Sequence, residues 1–528
     1  MKTTMKTLFT FLLVLTLIFS LLGCTANTST SPDATPDSKT DAAENTKNLK
    51  DTLVYVIDQE PATMDPQNMS DGASYGVTAN LYDTLVWIND AGEIEPMLAK
   101  TWEISSDGLV YTFHLRDDVV FHNGDKLTAE DIKYTFDRAM ESSFTTVATS
   151  FIDSTRVVDA QTFEVTLQFA YAPALSCFGS QYLRIVSPRA IEEAGEAFSY
   201  NPGLAGSGPY IFESWVSGES IKLVANENYW GGAPQIKNVT IQFIADENTK
   251  TTALLTGECD YCSIPFLRLG EIDAAGTFAY DVLPGQTVNY IGFDTSVAPF
   301  DNALVRQAFA YCCDKEEMLL VSRGAMEGGT LTATPVQSNG FGFNPDLELY
   351  PRDLEKAKAL LDEAGYSDGF ECTIYLGNND MRKAIATYLQ DCLSKIGVSM
   401  KIEIMDQAAL LEDIKSNSGK IPLFIMGANA FANDADLYLY SMYHSSGSVN
   451  FTHVKDAWLD EKLEAARACV DETERAALYK EITQYIYDNC YDIPNFWLNT
   501  AYVHDANLQV DVVPCASRYY IAGWHWVA

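Results

Sequence analysis

Tyr111-Thr112-Phe113-His114-Leu115-Arg116 leads, through Phe121-His122-Asn123-Gly124-Asp125, into Leu127-Thr128-Ala129-Glu130-Asp131, and the period of the apolar residues changes between the first block and the last. Tyr111, Phe113 and Leu115 alternate with polar neighbours, which puts them on one face of a half-buried strand. Thr128 and Asp131 stand three residues apart, the spacing at which an N-cap hydroxyl and a carboxylate satisfy the first free amides of a helix. Ile132, Phe136 and Met140 then recur at helical spacing. Strand, polar loop and capped helix thus follow one another in a single block. The alternation returns in Phe163-Glu164-Val165-Thr166-Leu167-Gln168-Phe169 and in Val239-Thr240-Ile241-Gln242-Phe243. Leu354, Ala357, Leu361 and Ala364 form a helical stripe that ends at Gly365, a residue suited to a left-handed C-cap. Strands and helices mixed along the whole chain predict an α/β protein.

At the N-terminus, Lys2 and Lys6 precede an apolar run from Leu8 to Leu22, too short for a comfortable membrane span and ordered like a secretory signal. The run ends in Leu21-Leu22-Gly23-Cys24, which resembles the bacterial lipobox, where cleavage before the Cys leaves a thiol that carries the lipid. Residues 1–23 are therefore expected to be a lipoprotein signal peptide and Cys24 the lipid attachment site. From Thr25 to about Asn48 the chain is Thr, Ser, Asn, Asp, Ala and Pro with almost no large apolar residue, so 24–49 should be a disordered tether. The expected location is extracytoplasmic, anchored to the cell membrane, on the periplasmic side in a Gram-negative cell.

The rest of the chain is too long for one compact core. Its 72 acidic against 35 basic residues give a formal charge of -37, which argues against nucleic acid and against resting directly on an anionic bilayer. Eleven Cys show no small-scaffold disulfide pattern. Cys259-Asp260-Tyr261-Cys262 is a lone Cys-x-x-Cys with no partner pair or nearby His, and the six His include no pair one helical turn apart, so neither a metal nor a cofactor is expected. Cys312 and Cys313 fall in a helical pattern, with at least one expected in a core. No nucleophile elbow, zinc-protease motif or phosphate loop points to an enzyme.

Several segments line up in order with the extracellular solute-binding proteins that serve peptide and nickel ABC importers (family 5, dipeptide and oligopeptide type). They are Glu60-Pro61-Ala62-Thr63-Met64-Asp65-Pro66, Asn80-Leu81-Tyr82-Asp83-Thr84-Leu85, Pro96-Met97-Leu98-Ala99, the block quoted first, Gly206-Ser207-Gly208-Pro209-Tyr210, Asn228-Tyr229-Trp230-Gly231 and Val305-Arg306-Gln307-Ala308. The resemblance implies a two-lobed, periplasmic-binding-protein-like fold with a hinge and an extra subdomain in the first lobe. The first lobe would span 50–285, with the extra subdomain at about 88–186; the second would span 286–494, and 495–528 would return to the first. It implies a monomeric, non-enzymatic receptor that captures short peptides and passes them to permease subunits in the membrane.

In peptide-binding relatives the ligand's ammonium meets an Asp that follows a Trp in a loop of the second lobe. The matching stretch here is Ile425 to Tyr438, and it places Ala428 at the Trp position and Phe431 at the Asp position. Asp434 and Asp436 stand close by, and either they take the ammonium or they cap and fix the loop, Asp434 as an N-cap before Leu437 and Tyr438. Tyr82, Phe431, Phe496 and Trp497 are the aromatic candidates for the cleft, and Arg323 is a candidate for a ligand carboxylate. A receptor for a nickel chelate, haem or sugar on the same fold is the alternative, and a secreted hydrolase a further one.

Overall fold

The computed structural model describes residues 50–89, 92–429, 434–511 and 520–527. Cys24, the tether and Phe431 lie outside the described residues. An eleven-stranded sheet runs through the molecule in the order Val398–Met405, Phe370–Gly377, Leu423–Asn429, Phe278–Phe293, Asp492–Asp505, Tyr261–Ile264, Thr52–Ile57, Asn238–Phe243, Ser220–Ala225 and Tyr210–Val216, with Gly329–Leu331 paired beside Asp492–Asp505. Two long antiparallel strands, Phe278–Phe293 and Asp492–Asp505, cross the middle. Their ladder slips between Pro284, opposite Asn499, and Val288, opposite Trp497.

The apolar clusters separate at that slip. Two have all their buried members between Tyr290 and Phe496, which is the second lobe. Two others lie before Leu283 and after Tyr502, in the first lobe. A further cluster, from Leu85 to Ile185, covers a four-stranded antiparallel sheet made by Ala99–Ile104, Val110–Leu115, Thr162–Leu167 and Ile152–Asp159. This is the extra subdomain, and it contains the expected helix Ala129–Glu141, whose Asp131 carboxylate accepts from the Thr128 amide at 2.8 Å. The stripe of Leu354–Glu363 buries Ala357 and Leu361, and Gly365 follows at φ 87°. Cys312 and Cys313 are both buried.

The strand directions position the site. In the second lobe Phe370–Gly377 runs parallel to Val398–Met405 and to Leu423–Asn429, so all three end on one edge. That edge adjoins the crossing, because Asn429 lies opposite Thr287. In the first lobe Thr52–Ile57 is parallel to Asn238–Phe243 and to Tyr261–Ile264, whose last residue lies opposite Ala501, again beside the crossing. The carboxyl ends of both sets of parallel strands therefore face the hinge, and in open α/β sheets that is the edge where ligands bind.

Candidate ligand-binding cleft

Three helices leave the second-lobe edge, each capped by a side chain. Asn379 accepts from the Arg382 amide at 3.0 Å, Asp406 from the Ala408 and Ala409 amides, and Asp434 from the Asp436 amide at 2.9 Å. Asp434 is thus the N-cap of Ala435–Tyr443, the structural role open to it from the sequence. Its carboxylate is also held by both terminal nitrogens of Arg475, at 2.8 and 2.6 Å. Asp436, fully buried, receives Arg467 at 2.9 Å and the Tyr171 hydroxyl at 3.2 Å. Burial drives the Asp436 carboxyl up, while Arg467 pulls it back. An ammonium approaching either carboxylate would have to share it with a resident arginine.

The Tyr171 contact joins the extra subdomain to the second lobe. The Ala172 amide donates beside it to the Arg467 carbonyl at 3.0 Å. Val470 closes the same seam, approaching Gly108. Arg467 is in turn sandwiched against the Tyr440 ring, 3.2 Å from its centroid.

Trp497 sits at the slip in the hinge ladder, packed edge-on against Tyr438 with ring centroids 5.3 Å apart. It is 3% exposed, and its indole N–H has no hydrogen-bond partner among the described residues. The Asn495 amide oxygen, two residues earlier, is likewise unpartnered. A buried donor without a partner costs roughly 1–3 kcal/mol, so such groups in a cleft call for a ligand or water. Tyr82 instead belongs to the first-lobe core, its hydroxyl donating to the Met64 carbonyl at 3.2 Å. Arg323 is committed to the Gly328 and Asn499 carbonyls and braces the hinge strand.

Arg382, in the first turn of Asp380–Ser394 at the second-lobe edge, is a candidate that sequence reasoning missed. It is half-buried in the first turn after Asn379, with one nitrogen 3.0 Å from the Gln407 amide oxygen. Its Nε has no partner, and no carboxylate lies within ion-pair distance among the described residues. Burial lowers its pKa. A cation in the first turn of a helix works against the helix dipole, and that misplacement was a signal available in the sequence.

Several of the quoted motifs meet one another at Asp83 rather than at the cleft. Asp83, fully buried, accepts from the Ser207 hydroxyl at 2.8 Å, the Tyr229 hydroxyl at 3.0 Å and the Trp230 indole at 3.0 Å. Gly206 and Gly208 lie against the Leu81 backbone, and the Gly208 amide donates to the Leu81 carbonyl. His122 closes the knot through the Gly208 carbonyl at 2.9 Å.

Two lobes joined by two crossing strands, with strand ends and an unpartnered indole facing the hinge, define a hinged solute receptor. The family described as "Bacterial extracellular solute-binding proteins, family 5 Middle" matches residues 93–450. Heme-binding protein A of Haemophilus influenzae is 30% identical over 490 residues, 86% of this chain and 88% of that protein. Glutathione-binding protein GsiB of Salmonella typhimurium is 28% identical over 469 residues, 86% and 91% of the two chains. Among solved structures, the periplasmic binding protein DppA of Helicobacter pylori in complex with the peptide STSA superposes with a TM-score of 0.76 at 27% identity, covering 91% of this chain and 99% of that one. HbpA2 of Haemophilus parasuis gives 0.81 at 27%, covering 90% and 100%. The chain belongs to family 5 of the bacterial extracellular solute-binding proteins. It is a substrate-binding protein of an ABC importer and acts outside the cytoplasm.

Proposed function

We propose that the cargo is a short peptide, held between the lobes with its carboxylate on Arg382 and its backbone against Trp497 and Asn495. The observation that carries this reading is Arg382, a half-buried guanidinium at the strand-end edge with no carboxylate partner among the described residues, in a chain of net charge -37. Guanidinium and carboxylate pair through parallel hydrogen bonds, and a site with no internal anion leaves that pairing to the ligand. An indole N–H and an amide oxygen are the complements of a peptide carbonyl and amide. The likeness to a receptor solved with the peptide STSA and to a glutathione-binding protein supports the same class.

The lobe boundaries fit the slip at Pro284–Val288 and its partner Trp497–Asn499, so the hinge is taken to be there. Lipidated Cys24 would tether the monomeric body to the membrane beside its permease. Asp434 and Asp436 then act through Arg475 and Arg467, fixing the helix that carries Tyr438.

Calorimetric titration with a peptide bearing a free carboxyl terminus and with its amidated twin tests the reading. The free acid should bind at least about tenfold more tightly, and Arg382→Gln should erase that difference while leaving the amidated affinity unchanged. Equal binding of acid and amide by the unaltered protein would remove Arg382 from the site.

A further inference from the structure

A second feature lies on the first-lobe strand-end edge, away from the hinge. A solvent-open groove of about 450 Å³ is lined by Glu60, Pro61, Tyr200, Trp215 and Ser217. Glu60 and Pro61 follow the end of Thr52–Ile57. Ser217 begins the turn between Tyr210–Val216 and Ser220–Ala225, and the Glu219 carbonyl in that turn accepts from the Phe243 amide at the end of Asn238–Phe243. The sheet order thus sets this groove on the first-lobe edge that faces the cleft, on the far side of Thr52–Ile57 from the hinge.

Its chemistry is specific. Tyr200 is 63% exposed, so its ring is open to a ligand from solvent. Its ring and that of Trp215 lie 5.7 Å apart between centroids and tilted by 52°, so two π faces border one space. The Glu60 carboxylate is fixed between the Trp215 indole N–H at 2.8 Å and the Gly218 amide at 3.1 Å, one donor on each oxygen. Each oxygen keeps accepting capacity, and no ion pair engages Glu60 among the described residues. An oriented, unneutralised carboxylate beside two ring faces attracts a cation and repels an anion, and ring faces favour an alkylammonium in particular.

We infer that this groove is a second subsite, one that takes an alkylammonium group. Trp215 and Tyr200 supply the faces, and Glu60 supplies the counter-charge while its bond to the indole holds the Trp215 ring in place. The subsite does not depend on the identity of the solute held at the hinge.

The test is calorimetric titration of the full chain with choline and with its uncharged isostere, in which a carbon replaces the ammonium nitrogen. Choline should bind at least about tenfold more tightly than the isostere. Glu60→Gln, which keeps an oxygen for the indole, should reduce that preference several-fold, and Trp215→Ala should abolish binding of both. Arg382→Gln should leave choline binding unchanged, which separates this subsite from the hinge cleft. Equal affinity for the two probes, no choline binding at all, or choline binding indifferent to both Glu60→Gln and Trp215→Ala would overturn the inference.

Discussion

Removing one hydroxyl at the seam between the extra subdomain and the second lobe should loosen ligand binding without harming the fold. Tyr171→Phe deletes the 3.2 Å bond to Asp436 and the hydroxyl's contact with the buried Cys177 thiol, while Asp436 keeps Arg467 and the ring keeps its packing against Phe151. No buried charge is left alone, so the large penalty for breaking a buried ion pair does not arise. The loss is that of one hydrogen bond to a charged acceptor, roughly 1.5–3 kcal/mol at most and nearer ~1–2 with Arg467 still in place. If the seam forms only when the lobes close, the whole of that loss falls on the closed state. Apparent affinity then drops about 5- to 30-fold, mostly through faster ligand release. Calorimetry and stopped-flow release on wild type and variant, with thermal unfolding of the ligand-free proteins alongside, measure both sides. Unchanged affinity with a lowered unfolding temperature would show that the seam is permanent, and would refute its role in closure.

Further substitutions probe the scaffold. Arg475→Met strands the buried Asp434 carboxylate and should cost about 3–5 kcal/mol in denaturant unfolding, with part of the loss recovered when Asp434→Asn is added. Gly206→Ala would set a Cβ 1.8 Å from the Leu81 carbonyl, backbone against side chain with no rotamer to relieve it, and should cost about 3 kcal/mol. Gly72→Ala, with nothing within 4 Å, should stay within about 0.5 kcal/mol in the same assay. Burial pushes the Asp492 carboxyl up to about 7, against the pull of the Tyr443 hydroxyl and Lys315. The folded protein then keeps a proton that the unfolded chain releases near pH 3.9, so stability falls as pH rises from about 4 to about 7, by at most about 1.4 kcal/mol per unit. Asp492→Asn should flatten that part of a stability–pH curve, and an unaltered slope would place the carboxyl's titration elsewhere.

The fold was legible because its signals are local. The alternation at Tyr111–Leu115, the Thr128 and Asp131 spacing and the glycine after Ala364 each report a backbone state that a few neighbours decide, and each appears where expected. The order of motifs reported the family for a different reason. Asn80 to Asp83, Gly206 to Tyr210 and Asn228 to Trp230 converge on buried Asp83, so they encode how the first lobe holds itself together and say little about cargo.

The site was harder to read because its residues are set by pairings distant in sequence. Asp434 and Asp436 looked free for an ammonium, since their arginines stand 41 and 31 positions away. Tyr82 looked like a cleft aromatic until the core closed around it. Trp497 could be named from its place after Ile493-Pro494-Asn495, yet its unpartnered indole emerges only when the two hinge strands are paired. Tyr200 and Trp215 meet across a hairpin edge that no periodicity announces.

The most direct test of the account is to identify what leaves the purified protein on denaturation, by mass spectrometry. Short peptides with free carboxyl termini are predicted, retained by the unaltered protein and depleted in Arg382→Gln. A haem, a sugar or a chelated metal, retained equally by both proteins, would contradict the assignment of cargo and of Arg382 alike.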